Sequence, residues 1–306
     1  MEFGGSQMLS HRWKRLLPLH LMLLPALALL LIYGYGPITG IVIAFQKFMP
    51  SKGMFGSPFI GLDNFKYVWS LPDTKQVLAN TVIIALCKIV LNLIVPIVLA
   101  LLLNEIRLKL FKRTVQTIIY LPYFLSWVLL GGILIDILSP SQGIVNDLLR
   151  AFGFKPVFFL GDPSWFRFTV VFTDLWKEAG FNTIVFLAAV TNANPSLYEA
   201  AVIDGANRWK QTLSITLPSM LPVIILLATL SLGNVLNAGF DQIFNLYSPQ
   251  VYSSGDILDT FVYRIGLIDT QYGVATAVGL FKSVISCLFI SVSYALAYRL
   301  AGYRIF

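Results

Sequence analysis

Six long apolar runs punctuate this chain, at about residues 16–45, 77–103, 115–138, 168–191, 218–240 and 273–298. Each reaches the roughly 20 residues that a helix needs to cross a hydrocarbon core about 30 Å thick. The pattern predicts an all-α membrane protein with six transmembrane helices and both termini on one side. A cytoplasmic segment, residues 1–15, would precede a single transmembrane domain over 16–306. The first run follows Arg12, Lys14 and Arg15 and contains Ala26-Leu27-Ala28, as a secretory signal would. It extends to Phe45, however, far past an apolar signal core of roughly 7 to 15 residues. It is therefore expected to be a retained helix, bent near Pro25 and Gly34 to Pro37.

Composition sharpens this picture. With 57% hydrophobic and 12% charged residues over 306 positions, the chain is too apolar for a soluble globular domain. Its basic residues then set an orientation. Eleven of them (Arg12, Lys14, Arg15, Arg107, Lys109, Lys112, Arg113, Arg208, Lys210, Arg299 and Arg304) fall in short segments on the side of the N-terminus. The opposite side holds eight, spread over longer loops and matched by eight aspartates. This bias predicts that both termini are cytoplasmic, and it accounts for most of the +7 net charge without invoking nucleic acid. The loop over 46–76 is rich in Gly, Pro and aromatics and is expected to form a packed extracytoplasmic cap. Cys87 and Cys287 fall inside predicted spans, as small packing residues rather than a disulfide or metal site.

Nothing in the sequence points to catalysis. There is no Gly-Lys dipeptide, hence no Walker A loop, and the only histidines are His11 and His20. No metal site is expected, and an energised function would need a separate motor.

Against this background one polar stretch stands out, Tyr198-Glu-Ala-Ala-Val-Ile-Asp-Gly-Ala-Asn-Arg-Trp209, in the cytoplasmic loop over about 192–217. Asn194-Pro195-Ser196 supplies helix-start chemistry, and Ser196 with Glu199 has the spacing of a capping box. The helix should pause at Gly205, which tolerates backbone angles other residues avoid, and resume from Ala206 to Leu217. Ala200 and Ala201 leave the backbone open to close approach by another protein. Taken alone, the same residues would serve only to cap and favour a helix.

Glu199-Ala200-Ala201, three residues, Gly205, nine residues, then Ile215-Thr216-Leu217-Pro218 resembles the EAA loop of bacterial binding-protein-dependent ABC importers. The resemblance implies the type I ABC importer permease fold and assigns coupling to a separate ATPase to Glu199, Ala200, Ala201, Asp204, Gly205 and Arg208. The segments at 121–128 (LPYFLSWV), 176–190, 240–249 and 275–285 narrow it to carbohydrate-importer permeases. They are similar to the maltose-permease F-like branch and its LplB-type polysaccharide and oligosaccharide members. The implied partners are a second homologous permease, two copies of a cytoplasmic ATPase, an extracytoplasmic solute-binding protein and the carbohydrate itself. The implied place is the bacterial plasma membrane. No cofactor is expected in this chain, since ATP and magnesium would bind the ATPase.

A solute path should appear as polar residues among apolar ones, because each intramembrane charge costs roughly 2.5–3.5 kcal/mol on insertion scales. Asp174, Lys177, Glu178 and Phe181 recur at i, i+3, i+4 and i+7 on the fourth run. Ser231, Asn234, Asn237 or Ala238, and Asp241 recur similarly on the fifth. In the related permeases, the positions matching the first four, and those matching Ser231, Asn234, Val235 and Ala238, lie where sugar is contacted. A competing reading pairs Asp174 with Lys177 or Glu178 as a helix–helix ion pair. Tyr120, Tyr123 and Trp127 either stack on sugar rings or form an interfacial belt. Lys88 and Lys282 read best as snorkelling or headgroup-binding residues, although with Lys177 they could also favour an acidic oligosaccharide. Two alternatives stay open: an ABC permease for glycerol phosphate or another polar solute, and an ion-coupled secondary transporter.

Overall fold

The computed structural model describes residues 5–191 and 193–301, with side chains from residue 16 onward except those at 296, 297, 300 and 301. The side chains of Arg12, Lys14 and Arg15, the first position of the 192–217 loop and Arg304 lie outside the described residues. Among the described residues the fold is all-α, and the single β-bridge joins Gln46 to Phe59. The chain divides into two compact units, one up to Val68 with Ile265–Leu280, the other Trp69–Arg264 with the chain from Phe281 onward.

In the first unit, α1 (Gly5–Leu29) runs through Pro18 and Pro25 without a break. The break falls later than Pro25: the helix becomes a π-turn at Leu30–Tyr35 and a 3-10 stretch at Gly36–Phe45. The aromatic-rich loop that follows is packed. Phe45 lies against Phe65 (ring centroids 5.4 Å apart) and Phe59 (6.4 Å). The amide of Asn64, on α2 (Asp63–Ser70), donates to the Ala44 and Gln46 carbonyls at 2.8 and 3.0 Å.

In the second unit, α3 (Asp73–Glu105) lies beside α7 (Pro163–Thr191). Arg167 meets Asn80 at one level and Asp174 meets Lys88 at the next, so the two helices run parallel. At the Asn80 level, Arg167 also donates to the Ser254 carbonyl, and Asn80 to that of Asp256. The Asp256 carboxylate accepts from Arg264, which closes this end with a partly buried ion pair. Asp162 starts α7 by accepting from the Ser164 amide and hydroxyl (2.8 and 2.6 Å), and these donors hold its carboxyl below the usual range.

Two expected runs are interrupted. The third is split into α4 (Lys109–Tyr120), a 3-10 turn at Leu121–Phe124, and α5 (Trp127–Ile137), with a 105° bend. Pro122 has no N–H to continue the helical ladder, and Ser126 restarts it by capping the Leu129 amide. Gly180 makes room for this bend, because a Cβ there would collide with the backbone of Ile119 and Tyr120. After α6 (Ile144–Ala151) and α7 comes the polar loop, with α8 (Pro195–Ile203) and α9 (Arg208–Gln211). The fifth run is interrupted too: α10 (Leu217–Gly233) stops at Gly233, and α11 (Phe240–Leu246) begins only after a six-residue turn. The short α12 (Leu258–Tyr263) leads to α13 (Tyr272–Ala301), which spans the last run.

Among the described residues four helices are long and apolar enough to cross a membrane, or five with the bent pair counted as one. α7 has 29 residues but carries Asp174, Lys177 and Glu178 at its middle. Apolar packing joins Ala100 to Phe186, Val190 and Met220 at one end, and Ile84 to Leu130, Val170 and Ile243 nearer the other. Cys87 and Cys287, expected as small packing residues, are both free and exposed.

Candidate functional site

α3 and α7 meet the turn after α10 around a cavity of about 300 Å³. Asp174, Glu178 and Asn182 line it at successive i+4 positions of α7, Lys88 and Asn92 do so from α3, the last turn of α10 supplies Ser231, and the turn after it supplies Asn234, Asn237, Ala238 and Gly239. The stripe predicted on the fifth run therefore comes together by a different route. Asn234 ends α10, and Asn237 and Ala238 reach the cavity because the chain turns there. Asp241 lies exposed in the first turn of α11, and Val235 is buried outside the cavity lining.

The stripe on α7 divides in two. Asp174 and Glu178 face the cavity, whereas Lys177 and Phe181 turn toward the bent third run. Lys177 Nζ donates to the Tyr123 carbonyl at 2.8 Å and sits 5.0 and 5.6 Å from the Tyr123 and Trp127 ring centroids. It is also 3.6 Å from Glu178 Oε1. Phe181 stacks flat on Tyr123, with centroids 4.2 Å apart. The ammonium is thus shared among a carbonyl, a carboxylate and two ring faces, which fixes the third run against α7.

Lys88 corrects the reading of it as a snorkelling or lipid-facing residue. It is only 7% exposed. Its Nζ pairs with Asp174 Oδ1 at 3.0 Å, donates to the Ala238 carbonyl at 2.7 Å and makes a short contact with Gln242 Oε1. Asn92 donates to the other Asp174 oxygen at 2.9 Å, and the Gln242 amide donates to Val170 O and Thr173 Oγ1. The ion pair predicted for Asp174 exists, but its partner is Lys88 on another helix, not Lys177 or Glu178. Lys282 likewise does not face lipid alone; it pairs with Asp259. Sequence reasoning missed Asn92 and Asn182, although i+4 spacing from Lys88 and from Glu178 was the signal that could have found them.

The polar loop forms a helical hairpin. Asn194, not Ser196, caps α8: its side chain accepts from the Ser196 amide and hydroxyl. The expected Ser196–Glu199 capping box is therefore replaced by an Asn cap with Pro195 at the first helical position. At the other end the Ala206 amide reaches Ala201 O (2.8 Å) and the Gly205 amide Val202 O (3.1 Å), while Gly205 has φ +73°. These are the paired bonds of a Schellman ending, which needs a left-handed residue at that position. Helix resumes at Arg208 rather than Ala206, capped by Asn207.

The hairpin and the end of α3 enclose an open cleft of about 630 Å³ lined by Glu105, Tyr198, Glu199 and Arg208 among others. Arg208 pairs with Glu105 at 3.0 Å, and Tyr198 bonds Thr216 at 2.9 Å. Around it Ile203 is 85% and Trp209 70% exposed, an apolar surface rimmed by Glu199 and Asp204.

A polytopic helical protein with a polar cavity at a broken helix and an exposed hairpin at one end has the makings of a transport subunit driven by another protein. Residues 92–302 match the family described as binding-protein-dependent transport system inner membrane component, and the chain belongs to that family. It is 40% identical over 279 residues to the polygalacturonan/rhamnogalacturonan transport system permease protein YteP of Bacillus subtilis (strain 168), covering 91% of this chain and 87% of that one. A solved chain of a bacterial ABC transporter involved in the import of the acidic polysaccharide alginate superposes with TM-score 0.88 at 38% identity, covering 96% of this chain and 99% of that one. A second, at 36% identity with the same TM-score and coverage, comes from a bacterial alginate ABC transporter in complex with alginate pentasaccharide-bound periplasmic protein. The fold is thus that of a type I ABC importer permease, and the chain is a multi-pass inner-membrane transport component rather than an enzyme.

Proposed function

We propose that this chain is the translocation subunit of an ATP-driven importer of acidic oligosaccharides, with the cavity beside Asp174 as its substrate path. The observation that carries this is the cavity itself, a polar lining of amides, a hydroxyl and carboxylates at mid-helix depth in a chain otherwise apolar. Ser and Asn both donate to and accept from sugar hydroxyls, while the carboxylates accept from them, and the relatives handle polygalacturonan and alginate. The cavity lining holds one lysine against two carboxylates, and Lys88 already pairs with Asp174. The carboxylates of the sugar would thus be met by amide donors and by exchange at Lys88. Tyr123 and Trp127 of the third run, with Lys177 and Phe181 of α7, back the path.

The hairpin at 192–217 is the motor socket. Glu199 and the small Ala200 and Ala201 face the ATPase, Gly205 makes the turn, and Asp204 and Arg208 flank it. Two ATPase copies, a second homologous permease and a sugar-delivering binding protein complete the assembly. Six spans with both termini inside fit the parallel run of α3 and α7, the second and fourth spans. The pairing of Glu105 with Arg208 likewise supports a common side for the 104–114 and 192–217 segments.

Reconstitution of the complete complex in vesicles tests this. A uronic-acid oligomer presented with its binding protein should stimulate ATP hydrolysis and be taken up until vanadate is added, while a neutral oligomer of equal length is taken up less. Uptake that ignores vanadate would overturn the ATP-driven reading. In the same assay Glu199→Lys should keep the permease in the membrane yet release the ATPase. Labelling of a cysteine at position 207 by an impermeant reagent from outside intact cells would overturn the topology.

A further inference from the structure

One charged surface is left unused by either site. The sequence Arg107-Leu-Lys-Leu-Phe-Lys-Arg113 places four cations in seven residues, and no acidic residue follows before Asp136. Among the described residues none of the four has an ion-pair partner: Glu105, the acidic side chain nearest in sequence, is held by Arg208. Within α4, Lys109 stands three residues from Lys112 and four from Arg113, spacings at which like charges repel and destabilise a helix. They also sit in the first turn, where the backbone dipole adds to the repulsion. Such an arrangement is stabilised by negative charge placed opposite it.

The same segment exposes apolar surface. Leu108 is 74%, Leu110 81% and Phe111 56% exposed. Its depth can be fixed from within the fold. Lys109 follows four residues after Glu105, the last residue of α3, which pairs with Arg208 of the polar hairpin. The segment therefore starts beside that hairpin, where the apolar helices give way to polar chain.

We propose that residues 107–113 form a binding surface for anionic phospholipid headgroups, with Arg107, Lys109, Lys112 and Arg113 on the phosphates and Leu108, Leu110 and Phe111 among the acyl chains. Basic residues beside a membrane helix are drawn to anionic lipid by an amount that accumulates residue by residue, and an exposed apolar face beside them is suited to the headgroup boundary. Charge density favours lipid over the ATPase: the ATPase-facing hairpin balances Glu199 and Asp204 against Lys210 and the Glu105-paired Arg208, whereas residues 107–113 carry four cations and no anion. The proposal rests on the membrane placement argued above, which cysteine labelling tests separately.

Native mass spectrometry of the purified complex in detergent, titrated with phosphatidylglycerol or phosphatidylcholine, reads the effect. Retention of phosphatidylglycerol should exceed that of phosphatidylcholine by roughly tenfold or more, and inorganic phosphate should not compete. The R107Q/K109Q/K112Q/R113Q variant should lose this preference, while neutralising Lys47, Lys52, Lys66 and Lys75 should not. Equal retention of both lipids by the wild type, or an unchanged preference in the quadruple variant, would overturn the proposal. So would release of the ATPase by that variant with lipid binding intact, which would give the surface to the motor. If the quadruple variant does not insert, a photo-crosslinking residue at Leu110 in the otherwise unaltered complex decides. Lipid adducts support the proposal, and adducts only to another subunit refute it.

Discussion

The cavity and the hairpin treat their charges in opposite ways. At the cavity each charged side chain has a partner within the chain: Lys88 with Asp174, Lys177 with Glu178 and the Tyr123 carbonyl. At the hairpin Glu199 and Asp204 are exposed beside bare Ile203 and Trp209, and the one internal pair, Arg208 with Glu105, is itself largely in solvent. The difference follows from the surroundings. A charge at mid-membrane depth has no water to fall back on and must be answered within the fold, whereas a charge at the surface can wait for another protein. A mutation at the first site should therefore act mainly on folding, and one at the second mainly on coupling.

The largest effect is expected from the Lys88–Asp174 pair, whose side chains are 8% and 14% exposed. Removing one member of a buried pair leaves an uncompensated charge and costs about 3–5 kcal/mol. Lys88→Met alone also strips Gln242 Oε1 and the Ala238 carbonyl of their donor, so it should sharply lower the yield of monodisperse permease and its melting temperature in detergent. Lys88→Met with Asp174→Leu should recover much of that loss, because two apolar groups can replace a buried pair at little cost. A single variant as stable as the wild type would show that water reaches this pair, and the contrast with the hairpin would fail. Lys177→Gln should reduce uptake of acidic and neutral oligomers alike, since its ammonium serves the third run rather than the cavity. Selective loss of the acidic substrate would move it back into the path.

These same residues show how much could be read in advance. The family, the helical class and the hairpin turn at Gly205 follow from local signals, namely run length and a motif whose spacing survives without tertiary help. The cavity was half legible. Asp174, Glu178, Ser231, Asn234, Asn237 and Ala238 line it, but helical periodicity was carried four to eight residues too far past Gly233, where the chain turns. Nothing local marks that stop, because Gly233 is conformationally ordinary there and a Cβ would collide with Ile290 from the distant α13. Lys88 was misjudged for a related reason. A lone lysine in an apolar run reads as lipid-facing until the carboxylate 86 residues further on is known to lie 3.0 Å away.

A smaller effect should come from Gly205. Its φ of +73° costs a residue with a side chain about 1–2 kcal/mol, yet a Cβ there meets nothing within 4 Å. The penalty is therefore one of backbone alone, and it should depend on the substituent. Gly205→Asn, which tolerates the left-handed region better than most residues, should keep more ATPase stimulation than Gly205→Val, with membrane abundance nearly unchanged in both. Equal loss for the two would mean that the ATPase needs the bare backbone at this position, not merely the turn.

The smallest effect on stability belongs to Arg208 and Glu105, whose side chains are 62% and 45% exposed. An ion pair this open contributes about 0.2–1 kcal/mol and weakens as salt rises, so melting temperatures should barely move in either single variant. The pair nonetheless ties the hairpin to the last residue of α3, the same continuous helix that carries Lys88 to the cavity. If that tie transmits the motor's movement, Glu105→Arg should lower binding-protein-stimulated ATP hydrolysis roughly two- to fivefold, the size expected of a pair worth under about 1 kcal/mol. The exchange Glu105→Arg with Arg208→Glu should restore it at low salt. Failure of the exchange, with the ATPase lost whenever Arg208 is changed and retained when only Glu105 is, would assign Arg208 to the ATPase surface. α3 would then have to receive the movement through packing with its neighbours, such as Ala100 against Phe186 and Met220.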